Sequence, residues 1–387
     1  MSKTVALLLV LVFMMASCTV IAEPALSSDE IEEASWTTLA TMPTARGGLD
    51  AAVVDGKIYA IGGGVGASNK NEAYDPTTNT WTTKAAIPTG RSNLVTVTVQ
   101  NKIYAIGGGA DVYPWMPIAK NEVYDPYTDT WTTKAEMPTA RSQMCANNVN
   151  GQIYVTGGLK IVGPASAEPC NKTEAYNPIT DTWTTKAEMP YAAFDHSSVV
   201  IGDKIYVSPF DDPRYDAKFP IQIYDTLNDT WSLGSFPPTV QSNADAVTIL
   251  DEGGSELIYI IGGGGYGTFY DLVQIYDPKN DIWSVGDPMP TPRYGLAAVV
   301  VNNQIYALGG VAYDDVGGSI SGARLSTNER YTPSESDSLL PTPTSTPTSS
   351  PIPRSESFST IVVVAASLTS VAIVGSGLFI YFKKRKR

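Results

Sequence analysis

The chain copies one line of sequence along its length. NEAYDPTTNTWTTKA at 71–85 returns as NEVYDPYTDTWTTKA at 121–135 and as TEAYNPITDTWTTKA at 173–187. A fixed repeat means one supersecondary unit that cannot bury its apolar faces alone and must stack on its neighbours. Trp36, Trp81, Trp131, Trp183, Trp231 and Trp283 set the period, at spacings of 45, 50, 52, 48 and 52 residues. Ten residues after each stands Arg46, Arg91, Arg141, Ala193, Gln241 or Arg293. A second marker is I-Y-x-x-G-G, at 58–63, 103–108, 153–158, 258–263 and 305–310, with IYVSPF in its place at 205–210. A third pairs Glu or Gln with Tyr: Glu72/Tyr74, Glu122/Tyr124, Glu174/Tyr176, Gln222/Tyr224, Gln274/Tyr276 and Glu329/Tyr331.

Each unit reads as four short strands. The first follows the Arg position and is apolar on both faces, as in LVTVTV at 94–99. It ends in a tight turn such as Asp55-Gly56, Gln100-Asn101, Asn150-Gly151, Gly202-Asp203 or Asn302-Asn303. Most of these residues tolerate the positive φ that two-residue hairpins need. The second strand carries Ile-Tyr and stops at Gly-Gly. The third is stopped by Asp-Pro or its variants, and the fourth begins at Trp. β-branched and aromatic residues dominate all four. No helical period is sustained before residue 350. Single four-stranded sheets of this kind are stable when packed radially as blades of a propeller.

These markers, in this order and at this period, resemble the kelch repeat over residues 36–333. The resemblance implies an all-β fold, a kelch β-propeller with four strands per blade. Six Ile-Tyr strands give six blades. The sixth copy (292–333) lacks a Trp strand, and the chain opens its repeats with a Trp strand that has no blade ahead of it. The N-terminal strand is therefore expected to complete the sixth blade and close the ring, which removes an exposed sheet edge.

The ends of the chain read differently. Residues 1–22 have a signal-peptide pattern: Lys3, an apolar run from Val5 to Met15, and Val20-Ile21-Ala22 as a small-residue cleavage site. A lipoprotein-type cleavage before Cys18 is the rival reading. After the propeller (35–333), residues 334–357 form a Pro/Thr/Ser stalk that includes PTPTSTPTSSPIP. Residues 358–382 are uncharged and long enough for one C-terminal transmembrane helix. The basic tail KKRKR at 383–387 marks the cytoplasmic side. The expected protein is a single-pass anchor in the cell membrane with its propeller outside. This arrangement is similar to prokaryotic, in particular archaeal, cell-surface proteins.

The formal net charge of −13 grows more negative once Lys3 and the basic tail are set aside. Such a surface disfavours nucleic acid as a partner. Cys145 and Cys170 fall in one repeat and are candidates for a disulfide. Asn171 and Asn228 begin glycosylation sequons. The one histidine, His196, is too little for the copper site of galactose-oxidase-like kelch enzymes or for zinc. It is expected to pack between blades. Asp211-Asp212 and Asp314-Asp315 do not have the spacing of a calcium loop. No metal or cofactor is expected.

Two sets of residues remain as candidates for function. The connections between second and third strands are long and differ from blade to blade. They carry Tyr113, Trp115, Tyr215, Phe219, Tyr266, Phe269, Tyr270 and Tyr313. Variation on a constant scaffold and aromatic contact area are features of binding surfaces. The expected function is recognition of an extracellular protein or glycan through this rim, with the membrane engaged by the C-terminal helix. The alternative is a carbohydrate enzyme like the sialic-acid mutarotases, which are secreted kelch propellers. It would use Arg46, Arg91, Arg141 and Arg293 as an anion site at the channel mouth. Their recurrence at one register equally fits a scaffold role.

Overall fold

The computed structural model describes residues 35–333, apart from 65–68, 111–115, 164–165, 209–210, 213–216, 252, 266–267 and 314–321. The expected signal (1–22), stalk (334–357), apolar stretch (358–382) and basic tail (383–387) lie outside the described residues. Among those described, no helix is long and apolar enough to cross a membrane.

Six antiparallel sheets of four strands form the blades. In blade 1 the strands are Asp50–Val54, Lys57–Ile61, Asn71–Asp75 and Thr80–Thr83, in spatial order. The inner strands of blades 2 to 6 are Val95–Val99, Cys145–Val149, Ser198–Ile201, Asp245–Leu250 and Ala297–Val301. Blade 6 ends as the sequence requires. Its third strand, Asn328–Thr332, pairs with the N-terminal strand Ser35–Thr38, Trp36 lying opposite Tyr331. The two rings lie 5.0 Å apart.

The core is distributed between the blades. Ile58 and Ala60 face blade 6, where they meet Val299 and Tyr306. Tyr59 and Ile61, one residue out of phase, face blade 2, where they meet Leu94 and Ile103. This is the two-residue alternation of a strand buried on both faces. Six apolar clusters result, one for each blade-to-blade junction.

The outer strands hook each blade to the one before it. Trp81, Trp131, Trp183 and Trp231 donate from Nε1 to Ala40, Ala85, Ala135 and Ala187 carbonyls. Two residues before each Trp, Asn79, Asp129, Asp181 or Asp229 takes positive φ. Its side chain accepts from the third-strand Tyr hydroxyl and from a backbone N–H of the preceding blade. Trp36 bonds the Asp287 carbonyl of blade 5, so the closing strand uses the same hook as the others.

Antiparallel strands alternate direction, so each rim has its own loops. The entries to inner strands and the long second-to-third connections share one rim. The short turns share the other, and Ser35 and Thr332, paired in register, lie there too. Within the long connections the structure adds small two-stranded ribbons, among them Gly264–Gly265 with Thr268–Phe269 and Val311–Ala312 with Ala323–Arg324. The sequence carried no alternation strong enough to announce them.

Candidate functional site

The four repeat arginines do not line the channel mouth. Arg46, Arg91, Arg141 and Arg293 are fully buried within blades 1, 2, 3 and 6. Each meets the third-strand glutamate of its own blade: Arg46–Glu72 at 2.8 Å, Arg141–Glu174 at 2.7 Å, Arg293–Glu329 at 2.6 Å, and Arg91–Glu122 likewise. The other carboxylate oxygen accepts from Thr44, Thr89, Thr139 or Thr291, two residues before the arginine. The guanidinium also donates to second-strand carbonyls, such as Gly62 at 2.8 Å from Arg46. The arginine carbonyl meanwhile accepts from the second glycine of the preceding blade, as in Gly63 to Arg91. This links neighbouring blades. Burial lowers the pKa of Arg46, Arg91 and Arg293, and the paired carboxylate opposes that shift. An anion arriving at the channel would find these charges inaccessible and already neutralised.

Blades 4 and 5 depart from this plan. Blade 5 replaces the ion pair by Gln241 and Gln274, which bond each other. Blade 4 has Ala193, and Gln222 turns instead to the backbone N–H and carbonyl of Tyr191.

Two residues past the Arg position, one residue per blade enters the left-handed region: Gly48, Asn93, Gln143, Asp195, Asn243 and Gly295. Their backbones form a closed ring, each N–H donating to the carbonyl of the previous blade at 2.7–3.1 Å. Below the ring lies a cavity of about 220 Å³ lined by the starts of all six inner strands. Asp50, Asp195 and Asp245 line it. The carboxylate of Asp50 accepts the N–H of Thr96 in blade 2, and that of Asp245 accepts the N–H of Ala298 in blade 6. Burial pushes their pKa values up, to about 6 for Asp50, about 6 for Asp195 and about 8 for Asp245. Asp50 adds charge repulsion at Asp245. His196 has its ring against Gly157, in the seam between blades 3 and 4, which is the packing role expected of it. Burial drives its pKa down to about 3.

The candidate rim aromatics separate into groups. Tyr113, Trp115, Tyr215 and Tyr266 lie outside the described residues. Phe219 folds back on its own blade, against Tyr191 at 4.9 Å and the core of the blade 3–4 junction. Tyr270 is half-buried, and its backbone ties the rim ribbon to Gly263 and Arg293. Phe269 and Tyr313 are brought together, and with them comes Tyr294. Phe269 stacks on Tyr294 at 5.2 Å and meets Tyr313 edge-on at 6.3 Å. Tyr313 is 56% exposed. Tyr294 follows directly on the buried Arg293 and precedes Gly295 of the channel ring. Its pKa is raised by burial and by the Asp195 carboxylate, while Arg324 acts against the shift. The cluster thus bridges blades 5 and 6 at the edge of the channel mouth.

The remaining candidates resolve plainly. Cys145 and Cys170 are both buried and free. The Cys145 thiol donates to the His196 carbonyl at 2.9 Å, and Cys170 bridges to Ala193 through its backbone. The two thiols are not bonded to each other, which corrects the disulfide expectation. Asn228 is exposed on a hairpin turn, whereas Asn171 is half-buried beside a fully buried Thr173. Asp211–Asp212 forms a short ribbon strand with Ala217–Lys218, and Asp314-Asp315 lies outside the described residues. Among the described residues no group of three metal-ligating side chains occurs.

The geometry agrees with the comparisons to known proteins. A family model described as the KLHDC2/KLHL20/DRC7 Kelch-repeats domain matches residues 25–158, and the Kelch motif matches 140–190, 255–290 and 292–336. The chain is a kelch-repeat propeller. Kelch-like protein 23 of Homo sapiens is 33% identical to it over 141 residues, 35% of this chain and 24% of that protein. Kelch-like protein 35 of Mus musculus is 28% identical over 140 residues, 35% of this chain and 22% of that protein. Beta-scruin of Limulus polyphemus is 27% identical over 143 residues, 35% and 15% of the two chains. The match therefore spans about a quarter or less of each relative. A solved structure titled "Structure of YjhT" superposes with a TM-score of 0.62 at 16% identity, covering 75% of this chain and 95% of that one. That likeness is one of fold.

Proposed function

We propose that this kelch propeller is a cell-surface interaction module that recognises a protein or a glycan through its long-loop rim. The observation that carries the reading is the Phe269–Tyr294–Tyr313 cluster, assembled from two blades on loops that differ from copy to copy. Aromatic side chains contribute large contact area for little lost rotamer entropy, and they dominate binding hot spots. In this reading residues 1–22 direct export and 358–382 anchor the chain, with KKRKR in the cytoplasm. Ser35 and Thr332, the paired ends of the closing strands, lie at the short-turn rim, opposite the rim that carries the aromatic cluster. The sugar-enzyme alternative draws less support, because its four arginines are buried and paired.

The test is capture from a glycan array and from isolated cell surfaces, using the full chain in detergent or vesicles. Retention of a defined ligand by wild type, lost in Phe269→Ala/Tyr313→Ala, is expected. Anomerisation of a free sugar by wild type, abolished by Arg46→Ala in correctly folded protein, would replace this reading by the enzymatic one.

A further inference from the structure

The aromatic cluster adjoins a cavity whose chemistry narrows the ligand. The channel ring carries side chains at Asn93, Gln143, Asp195 and Asn243 but glycine at Gly48 and Gly295, where blades 1 and 6 meet. Tyr294 stands beside that glycine side. The cavity beneath is lined by Asp50, Asp195 and Asp245 and by no lysine or arginine. Its volume of about 220 Å³ equals about seven waters at ~30 Å³ each, room for an extended side chain. The three carboxylates are half-buried and accept N–H bonds, Asp50 from Ala51 and Thr96, Asp195 from Gln143, and Asp245 from Ala246 and Ala298. None has a lysine or arginine beside it in the cavity, so their negative charge favours a cation that enters. Aromatic faces at the entrance attract the same charge. The acidic balance of the whole chain, −13, works in the same direction at longer range.

Resting on the rim-binding reading above, we propose that the channel mouth beside Gly48 and Gly295, with Phe269, Tyr294 and Tyr313 at its edge, receives a lysine or arginine side chain of a partner protein. The aromatic cluster packs against the aliphatic stem and backbone of the partner, and the Asp50, Asp195 and Asp245 carboxylates face the charged head. The exposed Arg324, close enough to Tyr294 to act on its charge, opposes entry.

The geometry also implies linked protonation. Asp50, Asp195, Asp245, His196 and Cys145 are the titratable groups lining the cavity, with Tyr294 at its edge and Arg141 behind His196. Burial keeps His196 neutral and raises the Cys145 thiol well above its ordinary value, so the aspartates alone change charge between about pH 5 and pH 8. A cation should therefore bind more tightly as pH rises through that range.

The experiment measures fluorescence anisotropy of labelled Gly/Ser peptides carrying a single Lys, Arg, norleucine or Glu, added to the full chain in vesicles. The Lys or Arg peptide is expected to bind roughly tenfold tighter than the norleucine peptide. Its affinity should rise with pH, fall in Asp50→Asn/Asp245→Asn, and increase about twofold in Arg324→Ala, a surface change that leaves the channel intact. Preference for the norleucine or Glu peptide, or an affinity flat in pH, would overturn the inference. Free spermidine binding as tightly as the Lys peptide would replace a protein partner by a small polyamine and overturn it as well. If Phe269→Ala/Tyr313→Ala abolishes capture of a neutral or acidic glycan while Lys peptides do not bind, the inference fails and the rim reading stands. If no probe distinguishes that variant from wild type, both fail.

Discussion

Blades 1, 2, 3 and 6 hold a buried arginine–glutamate pair at the point where blades 4 and 5 hold glutamine or alanine. The same backbone geometry is reached both ways. Gln241 donates to the Gly262 carbonyl at 2.6 Å, as Arg46 donates to Gly62 at 2.8 Å. The comparison teaches that the guanidinium serves here as a multiple hydrogen-bond donor that joins strands. A buried ion pair is not intrinsically more stabilising than a well-satisfied neutral pair, but it is far less tolerant of losing one member.

The largest expected effect follows from that asymmetry. Glu72→Ala leaves the Arg46 guanidinium buried and uncompensated, and should cost about 3–5 kcal/mol in urea unfolding. Gln274→Ala, the matching change in blade 5, should cost about 1–3 kcal/mol, because a neutral group is left. Equal losses would break the comparison. Next in size is Trp36→Ala, which loosens the closing strand. Since Trp36 is only half-buried, its loss should fall at or below the low end of the ~3–5 kcal/mol seen for buried Trp. A chain that melts unchanged would show that the N-terminal strand does not hold the ring.

A pH series sharpens the contrast between structural charge in the blades and exposed-to-change charge in the channel. The Asp245 pKa is raised from 3.8 to about 8 in the folded chain, so its contribution is fully present below about pH 4 and is lost as pH rises through about 8. Asp245→Asn cannot titrate. Its melting temperature relative to wild type should therefore climb from acid to mildly alkaline pH and then level off. A constant difference across the range would mean that the folded chain does not hold the Asp245 proton. The smallest effect is expected from exchanging Arg293 and Glu329 together for Gln and Gln, as in blade 5. Stability should stay within about 1 kcal/mol of wild type or improve. A loss as large as that of Glu72→Ala would make the charges themselves indispensable.

The blades were legible because tertiary structure repeats wherever Trp, Ile-Tyr and Gly-Gly repeat. Ring closure was legible because one Trp strand was missing at one end and spare at the other. The arginine–glutamate pairing was not. Both residues recur, but they stand 26, 31, 33 and 36 residues apart in different blades, since loops of unequal length intervene. The channel ring hides in a similar way. Gly, Asn and Asp two residues past the Arg position announce positive φ, and Gln143 at the same place obscures the rule. Tyr294 was passed over because it follows a repeat arginine and reads as scaffold. A partial signal was present: the equivalent positions hold Gly47, Ser92, Ser142 and Ser242 in four blades and an aromatic ring in two, Phe194 and Tyr294. The aromatic departs from the small residue of the majority but does not single out blade 6. Of the eight rim aromatics expected from loop variation, composition alone cannot separate Phe269 and Tyr313, which face a shared cluster, from Phe219, which turns inward.

The most direct test of the central claim compares two substitutions in one binding assay against a ligand retained by the wild-type chain. Tyr313→Ala should leave the melting temperature within the range of an ordinary surface change, about 0.5 kcal/mol, and weaken binding roughly thirtyfold, as a hot-spot aromatic does. Arg46→Lys should lower the melting temperature and retain full binding per folded molecule. Unchanged binding by Tyr313→Ala, with binding lost in folded Arg46→Lys, would contradict the account.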